Sequence, residues 1–220
     1  MRGKNSGNVE LTRRIILTAI AAAGLSGCGK ETSSPPELYV SFMADGALRE
    51  LRVNGSQTVF YTTEHSSRLC MAADSAQAEY GCDYQLYSGS NVIQDVIIYF
   101  YMSDLKSNLA QYNGVYYYAD PGEASARLPL GQLNYFQWDC EPVASVDLYY
   151  YISGKLYRSN LSANPDGCFF ELTRSEVIEH PAFGTSILLE GTFECKMYST
   201  SRDSIFLSDG KFRGVIDNPG

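Results

Sequence analysis

The sequence predicts an all-β domain, an antiparallel β-sandwich with a β-barrel as the alternative, and three observations carry that expectation. Tyr, Phe, Val, Ile and Thr cluster in short runs, the residue types that fit a pleated, half-buried surface. Gly, Asp, Asn and Ser break these runs roughly every 8–15 residues, a spacing typical of sandwiches and barrels. No rhythm of strands alternating with long helical patterns marks a parallel sheet. The absence of a regular up-and-down repeat favours the sandwich over the barrel.

Taken in order, Leu38 to Met43 (LYVSFM) reads as the first strand, and Asp45-Gly46 offers a tight turn into Leu48 to Val53. Thr58 to Thr62 (TVFYT) reads as the next. Within Val92 to Met102, the run VIIYFYM after Asp95 is the most continuous apolar stretch and fits a strand covered on both faces. Leu105 to Gln111 (LKSNLAQ) is expected as a short helix. Val115 to Tyr118, Tyr135 to Trp138 and Val146 to Ile152 follow as strands. Ser153-Gly154 connects LYYYI to KLYRS as a hairpin, and Pro165-Asp166-Gly167 turns the chain before CFFELT. Arg174 to His180 (RSEVIEH) is expected to make a helical turn ahead of Pro181. Asp209-Gly210 separates Ser204–Leu207 from Lys211–Ile216 and is the strongest short-range hairpin signal in the chain.

The N-terminus divides into three physical zones. Residues 1–14 carry Arg2, Lys4, Arg13 and Arg14 against Glu10, and Ile15 to Leu25 forms an apolar run of 11 residues. A bilayer-spanning helix needs about 20 apolar residues, so this run suits the core of an export signal. It ends in Leu25-Ser26-Gly27-Cys28, which resembles the lipobox of bacterial lipoproteins. The resemblance implies cleavage between Gly27 and Cys28, with Cys28 acylated as the new N-terminus. Several acyl chains make membrane attachment effectively stable, since each buried CH₂ contributes about 0.8 kcal/mol. Gly29 follows the cysteine where an Asp would resemble an inner-membrane retention signal, so an outer-membrane lipid anchor is expected. Residues 29–36 (GKETSSPP) read as a polar tether. The expected organisation is therefore a signal peptide over 1–27, a lipidated tether over 28–36 and one β-sandwich domain over 37–220.

Removing residues 1–27 takes four basic and one acidic residue from totals of 17 and 25, which leaves 13 and 24 and a net charge of −11. Such a surface is repelled by phosphates, so nucleic acid is not an expected partner. The expected partners are the membrane, through acylated Cys28, and an envelope protein or glycan.

Besides Cys28 the chain has Cys70, Cys82, Cys140, Cys168 and Cys195. An exported domain meets an oxidising compartment, so disulfides are the first reading. Cys70 with Cys82 closes the easiest loop, and Cys168 with Cys195 joins segments that read as neighbouring strands, leaving Cys140 over. There is no C-x-x-C or H-x-x-x-H spacing, and His65 and His180 are the only histidines, so neither a metal nor a cofactor is expected.

Signatures of catalysis are sparse: there is no G-x-S-x-G, P-loop, H-E-x-x-H or EF-hand loop. Glu179-His180 reads as a surface pair, and Asp203 and Asp209 as solvated loop acids. The distinguishing excess is aromatic, with 17 Tyr, 10 Phe and Trp138, including the triplets Tyr99-Phe100-Tyr101, Tyr116-Tyr117-Tyr118 and Tyr149-Tyr150-Tyr151. Alternate strand residues face opposite sides, so each triplet sends rings both ways. Tyr117, Trp138 and Tyr150 are the candidate stacking face, against the plainer reading of cross-strand packing.

Ser186 to Cys195 (SILLEGTFEC) followed by Asp203 to Phe212 (DSIFLSDGKF) is similar to the closing G-T-F … D/N-G-K-F strands of uncharacterised β-rich lipoprotein domains of Bacteroidetes-type bacteria, and Met43-Ala44-Asp45-Gly46 resembles their first hairpin. The resemblance implies an exported β-rich fold and assigns no activity. The expected function is a non-enzymatic envelope lipoprotein that binds or assembles with protein or glycan. The alternatives are a carboxylate-dependent hydrolase of envelope polymers and an enzyme inhibitor braced by a disulfide loop.

Overall fold

The computed structural model describes residues 36–70, 74–135, 144–161 and 168–217. In chain order its strands are β1 (Tyr39–Ala44), β2 (Ala47–Arg52), β3 (Val59–Leu69), β4 (Ser75–Ser88), β5 (Asn91–Leu105), β6 (Ala110–Tyr112) and β7 (Val115–Tyr117). After helix α1 (Pro121–Arg127) come β8 (Gly131–Tyr135), β9 (Ser145–Ile152), β10 (Lys155–Arg158), β11 (Phe169–His180), β12 (Gly184–Ser199) and β13 (Ser204–Asp217). All but β6 and β7 belong to one 11-stranded sheet with the order β2-β1-β13-β12-β11-β8-β9-β5-β4-β3.

The fold is all-β, and the sheet bends so that its halves face each other. One half is β2-β1-β13-β12-β11 and the other β9-β5-β4-β3. β8 joins β11 to β9, and β10 pairs with both β12 and β9, so two short strands bridge the halves on one side. The hydrogen-bonded path ends at β2 and β3, and the sheet as a whole stays open there.

Side chains from both halves meet between them. Phe42 of β1 meets Tyr150 of β9 edge-on at 5.1 Å. Phe100 of β5 reaches Phe170 of β11 at 5.9 Å and Phe212 of β13 at 6.1 Å. Tyr84 donates its hydroxyl to the Arg213 carbonyl at 2.7 Å, and Tyr61 accepts from the Val215 N–H at 2.7 Å while donating to the Val215 carbonyl. These tyrosines join hydrophobic burial to a backbone hydrogen bond across the sandwich, which satisfies polar tips that burial would otherwise penalise.

Local chemistry explains most elements. Asp45-Gly46, Asn113-Gly114 and Ser153-Gly154 all have positive φ at both residues, the backbone of tight hairpin turns whose twist matches the flanking strands. The first and third are the expected hairpins. Helix α1 starts with Pro121 after Asp120, whose carboxylate accepts from the Gly122 N–H at 2.8 Å.

Other expectations are corrected. Asp209-Gly210 does not turn the chain, because β13 runs unbroken from Ser204 to Asp217. The pair forms a bulge instead: the register against β12 jumps between Phe193 and Cys195, and against β1 between Ser41 and Met43. Asp209 adopts φ +52° there, so the residue types that suit a turn also suit a bulge. Leu105 to Gln111 is not a helix but a single 3-10 turn at Lys106–Asn108 leading into β6. Arg174 to His180 is strand, held along β12 by paired residues as far as His180 and Gly184. Tertiary pairing overrides local preference there. The antiparallel expectation fails at one place, β8 and β9, which run parallel. Pro165-Asp166-Gly167 and the end of the Tyr135–Trp138 segment lie outside the described residues, as do the expected signal peptide and nearly all of the expected tether.

Candidate functional site

Strand alternation sorts β3, β4, β5 and β9 into an inward and an outward face. Inward rows read Tyr61–Tyr84–Val96–Tyr150, then Thr63–Cys82–Ile98–Leu148, then His65–Tyr80–Phe100–Val146. Outward rows read Phe60–Gln85–Asp95–Tyr151, Thr62–Asp83–Ile97–Tyr149, Glu64–Gly81–Tyr99–Asp147 and Ser66–Glu79–Tyr101–Ser145. The outward rows thus place Tyr99, Tyr101, Tyr149 and Tyr151 among Glu64, Glu79, Asp83, Asp95 and Asp147.

Gly81 organises the centre of this face. A Cβ there would lie 3.0 Å from Tyr99 Cε1 and 3.1 Å from Glu64 Cβ. With no side chain at Gly81, the Tyr99 ring lies across β4 and donates its hydroxyl to Glu64 Oε2 on β3. On its other side Tyr99 meets Tyr149 edge-on at 5.1 Å. Arg158 of β10 sits 4.9 Å over the Tyr149 ring, and Arg68 of β3 sits 5.7 Å over Tyr101.

The carboxylates are unusually buried for an outward sheet face. Asp83 is 1% exposed and accepts from Gln85 Nε2 at 2.7 Å and Thr62 Oγ1 at 3.1 Å. Burial, then the neighbouring Asp95 charge, pushes Asp83 up to about 9. Asp147 is 0% exposed and receives hydrogen bonds from Ser159 and from Asn160 Nδ2, the latter at 2.5 Å. Burial raises it to about 6, with hydrogen bonds from Ser159 and Tyr149 opposing the rise.

A pH dependence follows. Asp83 binds its proton more tightly folded than unfolded, so stability falls as pH rises from 3.8 toward about 9. Asp83→Asn keeps an oxygen for Thr62 and Gln85 and removes the ionisation that burial disfavours. The variant is expected to be more stable than the parent at about pH 8 and to lose most of that decline. Melting curves at several pH values check this, and an unaltered slope would contradict a raised Asp83.

A second polar cluster lies at one end of the sandwich. Asp217 Oδ1 accepts from Thr63 Oγ1 at 2.6 Å and from His65 Nε2. Burial works against its charge, but the His65 and Thr63 contacts hold Asp217 below the usual carboxylate range. His65 packs edge-on against Tyr80 at 5.3 Å, and its Nδ1 is buried without a hydrogen-bond partner among the described residues. The adjoining small cavity is lined by Tyr80, Tyr118, Ala124, Ile187, Ile216 and Asp217. This is a carboxylate orienting an imidazole, but Cys82, the nearest thiol on the same inward face, is fully buried with burial raising it to about 12. A thiol so protonated is no nucleophile.

The residues singled out from sequence fare unevenly. Tyr150 is 0% exposed and packs inward on Phe42, so it cannot belong to a stacking face. Its neighbours Tyr149 and Tyr151 are the outward members of that triplet. Tyr117 is half-buried on the separate β6–β7 hairpin, far in the topology from β9. Trp138, Cys140, Gly27 and Cys28 lie outside the described residues. The proposed Cys70–Cys82 bridge is corrected: Cys82 is a free, buried thiol, while Cys70 is disulfide-bonded, and not to Cys82, Cys168 or Cys195. Cys82 lies inside β4 beneath Val215, facing away from any loop closure with Cys70. Cys168 and Cys195 are brought together as expected, but as thiols. Glu179 and His180 diverge, Glu179 accepting from Thr185 and His180 packing on Phe183 at 4.9 Å; His180 is buried, not on the surface. Asp203 pairs with Lys155 at 2.7 Å.

Sequence reading missed Glu64, Gly81, Asp83, Asp95 and Asp147. The signal was present in Ala76 to Gln85, where small or aromatic residues alternate with Gln77, Glu79, Gly81, Asp83 and Gln85. Its alanines and glycine hid a strand that packing stabilises.

No protein-family model matches the chain, and no characterised protein or solved structure is significantly similar to it.

Proposed function

We propose that this chain is an exported, lipid-anchored binding module of the outer membrane that recognises a glycan on the outward face of β3, β4, β5 and β9. The observation that carries the reading is the density of hydrogen-bonding groups on that face at low net charge. Tyr99, Tyr149 and Tyr151 stand half-buried among Glu64, Glu79 and Asp95, with Tyr101, Asp83 and Asp147 buried between them. Arg68 and Arg158 offset part of that charge, and Asp83, pushed by burial up to about 9, contributes little more. A neutral polyhydroxylated ligand fits such a surface better than a polycation, which needs open carboxylates. Tyrosine supplies stacking area together with a polar tip.

The hydrolase reading is less well supported. Glycoside cleavage uses a pair of carboxyl groups about 5–10 Å apart that reach the substrate, whereas Asp83 and Asp147 are 1% and 0% exposed. The inhibitor reading loses its loop, because Cys82 is a free thiol.

Leu25-Ser26-Gly27-Cys28 supports the anchor. Cys28→Ser is expected to abolish acylation, so that the protein moves from the detergent to the aqueous phase on partitioning. A non-reducing peptide map would display the bond at Cys70. For the binding reading, the processed chain is applied to an array of envelope glycans. Saturable binding in the micromolar range supports it, and an empty array with retention by basic peptides would overturn it.

A further inference from the structure

Beyond the binding face, Cys168 and Cys195 form a site of their own. β11 and β12 pair Phe169 with Glu194, Phe170 with Phe193 and Glu171 with Thr192. One step further along this register sets Cys168 directly opposite Cys195. Directly opposed residues of antiparallel strands have Cα atoms about 4.5 or 5.5 Å apart, and both spacings fall inside the range that a disulfide spans. The sulfurs approach to 2.9 Å, and both cysteines are free thiols.

The two thiols are not equivalent. Cys195 is 0% exposed, in the middle of β12, whereas Cys168 stands half-buried just before β11 begins. The Lys196 backbone N–H points at Cys168 Sγ from 3.0 Å, and an N–H donor at that distance favours the thiolate. From this geometry we propose that Cys168 and Cys195 are a dithiol–disulfide exchange site, with Cys168 the attacking sulfur and Cys195 the resolving one.

The co-reactant is a small disulfide, RS–SR. Cys168 thiolate attacks one of its sulfurs, forming Cys168–S–S–R and releasing RS⁻. Cys195 then gives its proton to solvent and attacks Cys168 Sγ, forming the Cys168–Cys195 bond and expelling the second RS⁻. The protein dithiol loses two electrons and two protons, and the small disulfide gains the electrons as two thiols. The sequence works without backbone movement because the sulfurs already face each other. Burial of Cys195 lets it resolve an adduct at Cys168 while giving external reagents little access to it. Hydrogen bonding from Cys195 lowers Cys168, whereas Cys168 and burial raise Cys195, in keeping with these roles.

The test is carried out on the complete processed chain with oxidised glutathione, followed by peptide mapping. The parent protein is expected to gain the Cys168–Cys195 bond and retain no glutathione at either residue. Cys195→Ser is expected to hold a stable glutathione adduct on Cys168, and Cys168→Ser to react about tenfold more slowly, or less, at Cys195. Limited alkylation of the parent protein needs no variant and is expected to label Cys168 before Cys195 and Cys82. Preferential labelling of Cys195, or a lasting glutathione adduct on Cys168 beside an intact Cys195 thiol, overturns the proposal.

Discussion

Gly210→Val is expected to prevent stable folding, with a loss of about 3–5 kcal/mol or more against a typical domain stability of 5–15 kcal/mol. A Cβ at Gly210 would stand 2.5 Å from both the Phe193 carbonyl oxygen and Phe193 Cδ2. Neither can retreat. The carbonyl belongs to β12 in the middle of the sheet, and the Phe193 ring is 0% exposed between the two halves. The arrangement is reciprocal, because Gly191 pairs with Phe212 just as Gly210 pairs with Phe193. A Cβ at Gly191 would meet Phe212 Cε1 at 2.5 Å. Each ring thus lies over the bare backbone of its partner strand, and each glycine is required by a phenylalanine. Gly46→Ala is the control, since nothing lies within 4 Å of its Cβ position and only its φ of +74° resists the change. That variant is expected to lose about 1 kcal/mol. Expression and thermal melting of the pair compare steric overlap with backbone strain.

The second large effect is expected at Phe170, with Phe170→Ala losing about 3–5 kcal/mol. Phe170 is 0% exposed and stacks near-parallel on Phe193 at 6.3 Å. It also meets Phe212 at 5.4 Å and Phe100 at 5.9 Å. Phe100 belongs to the opposing half, so the deletion removes the ring by which β11 contacts β5 and leaves Phe212 of β13 as the remaining ring on Phe100. The surrounding rings are fixed by strand pairing on both sides and cannot collapse into the space, which places the loss toward the upper end for such truncations. Chemical denaturation with an unchanged m-value would show that stability alone has altered. Phe206→Ala serves as the comparison, because Phe206 is 47% exposed and is expected to alter stability by about 0.5 kcal/mol or less.

Much of this fold was legible because strand and turn chemistry is local. LYVSFM, the Asp45-Gly46 turn and the Ser153-Gly154 hairpin all appear within a residue or two of their expected places. What escaped was non-local. Asp209-Gly210 meets every requirement of a hairpin turn, and only the neighbours β1 and β12 on both sides of β13 keep the chain straight through it. Arg174 to His180 carries helix-forming residues but pairs along its length with β12. The candidate site suffered from parity. Choosing Tyr150 from its triplet selected the inward residue, and a shift of one position would have reached Tyr149 on the outward face. The carboxylates beside it were invisible without β4, because Asp83 and Asp95 become neighbours only through the pairing of β4 with β5.

The proposed recognition face is tested most directly by titrating the protein with a glycan chosen from the array and comparing two double variants. Tyr99→Ala with Tyr149→Ala removes one outward ring from each of β5 and β9, whereas Arg174→Ala with Lys196→Ala alters exposed positions on the other half of the sandwich. Affinity is predicted to fall about tenfold or more in the first pair and to stay unchanged in the second. Loss confined to the second pair, with the tyrosine variant binding as the parent does, would contradict the assignment of the ligand to β3, β4, β5 and β9.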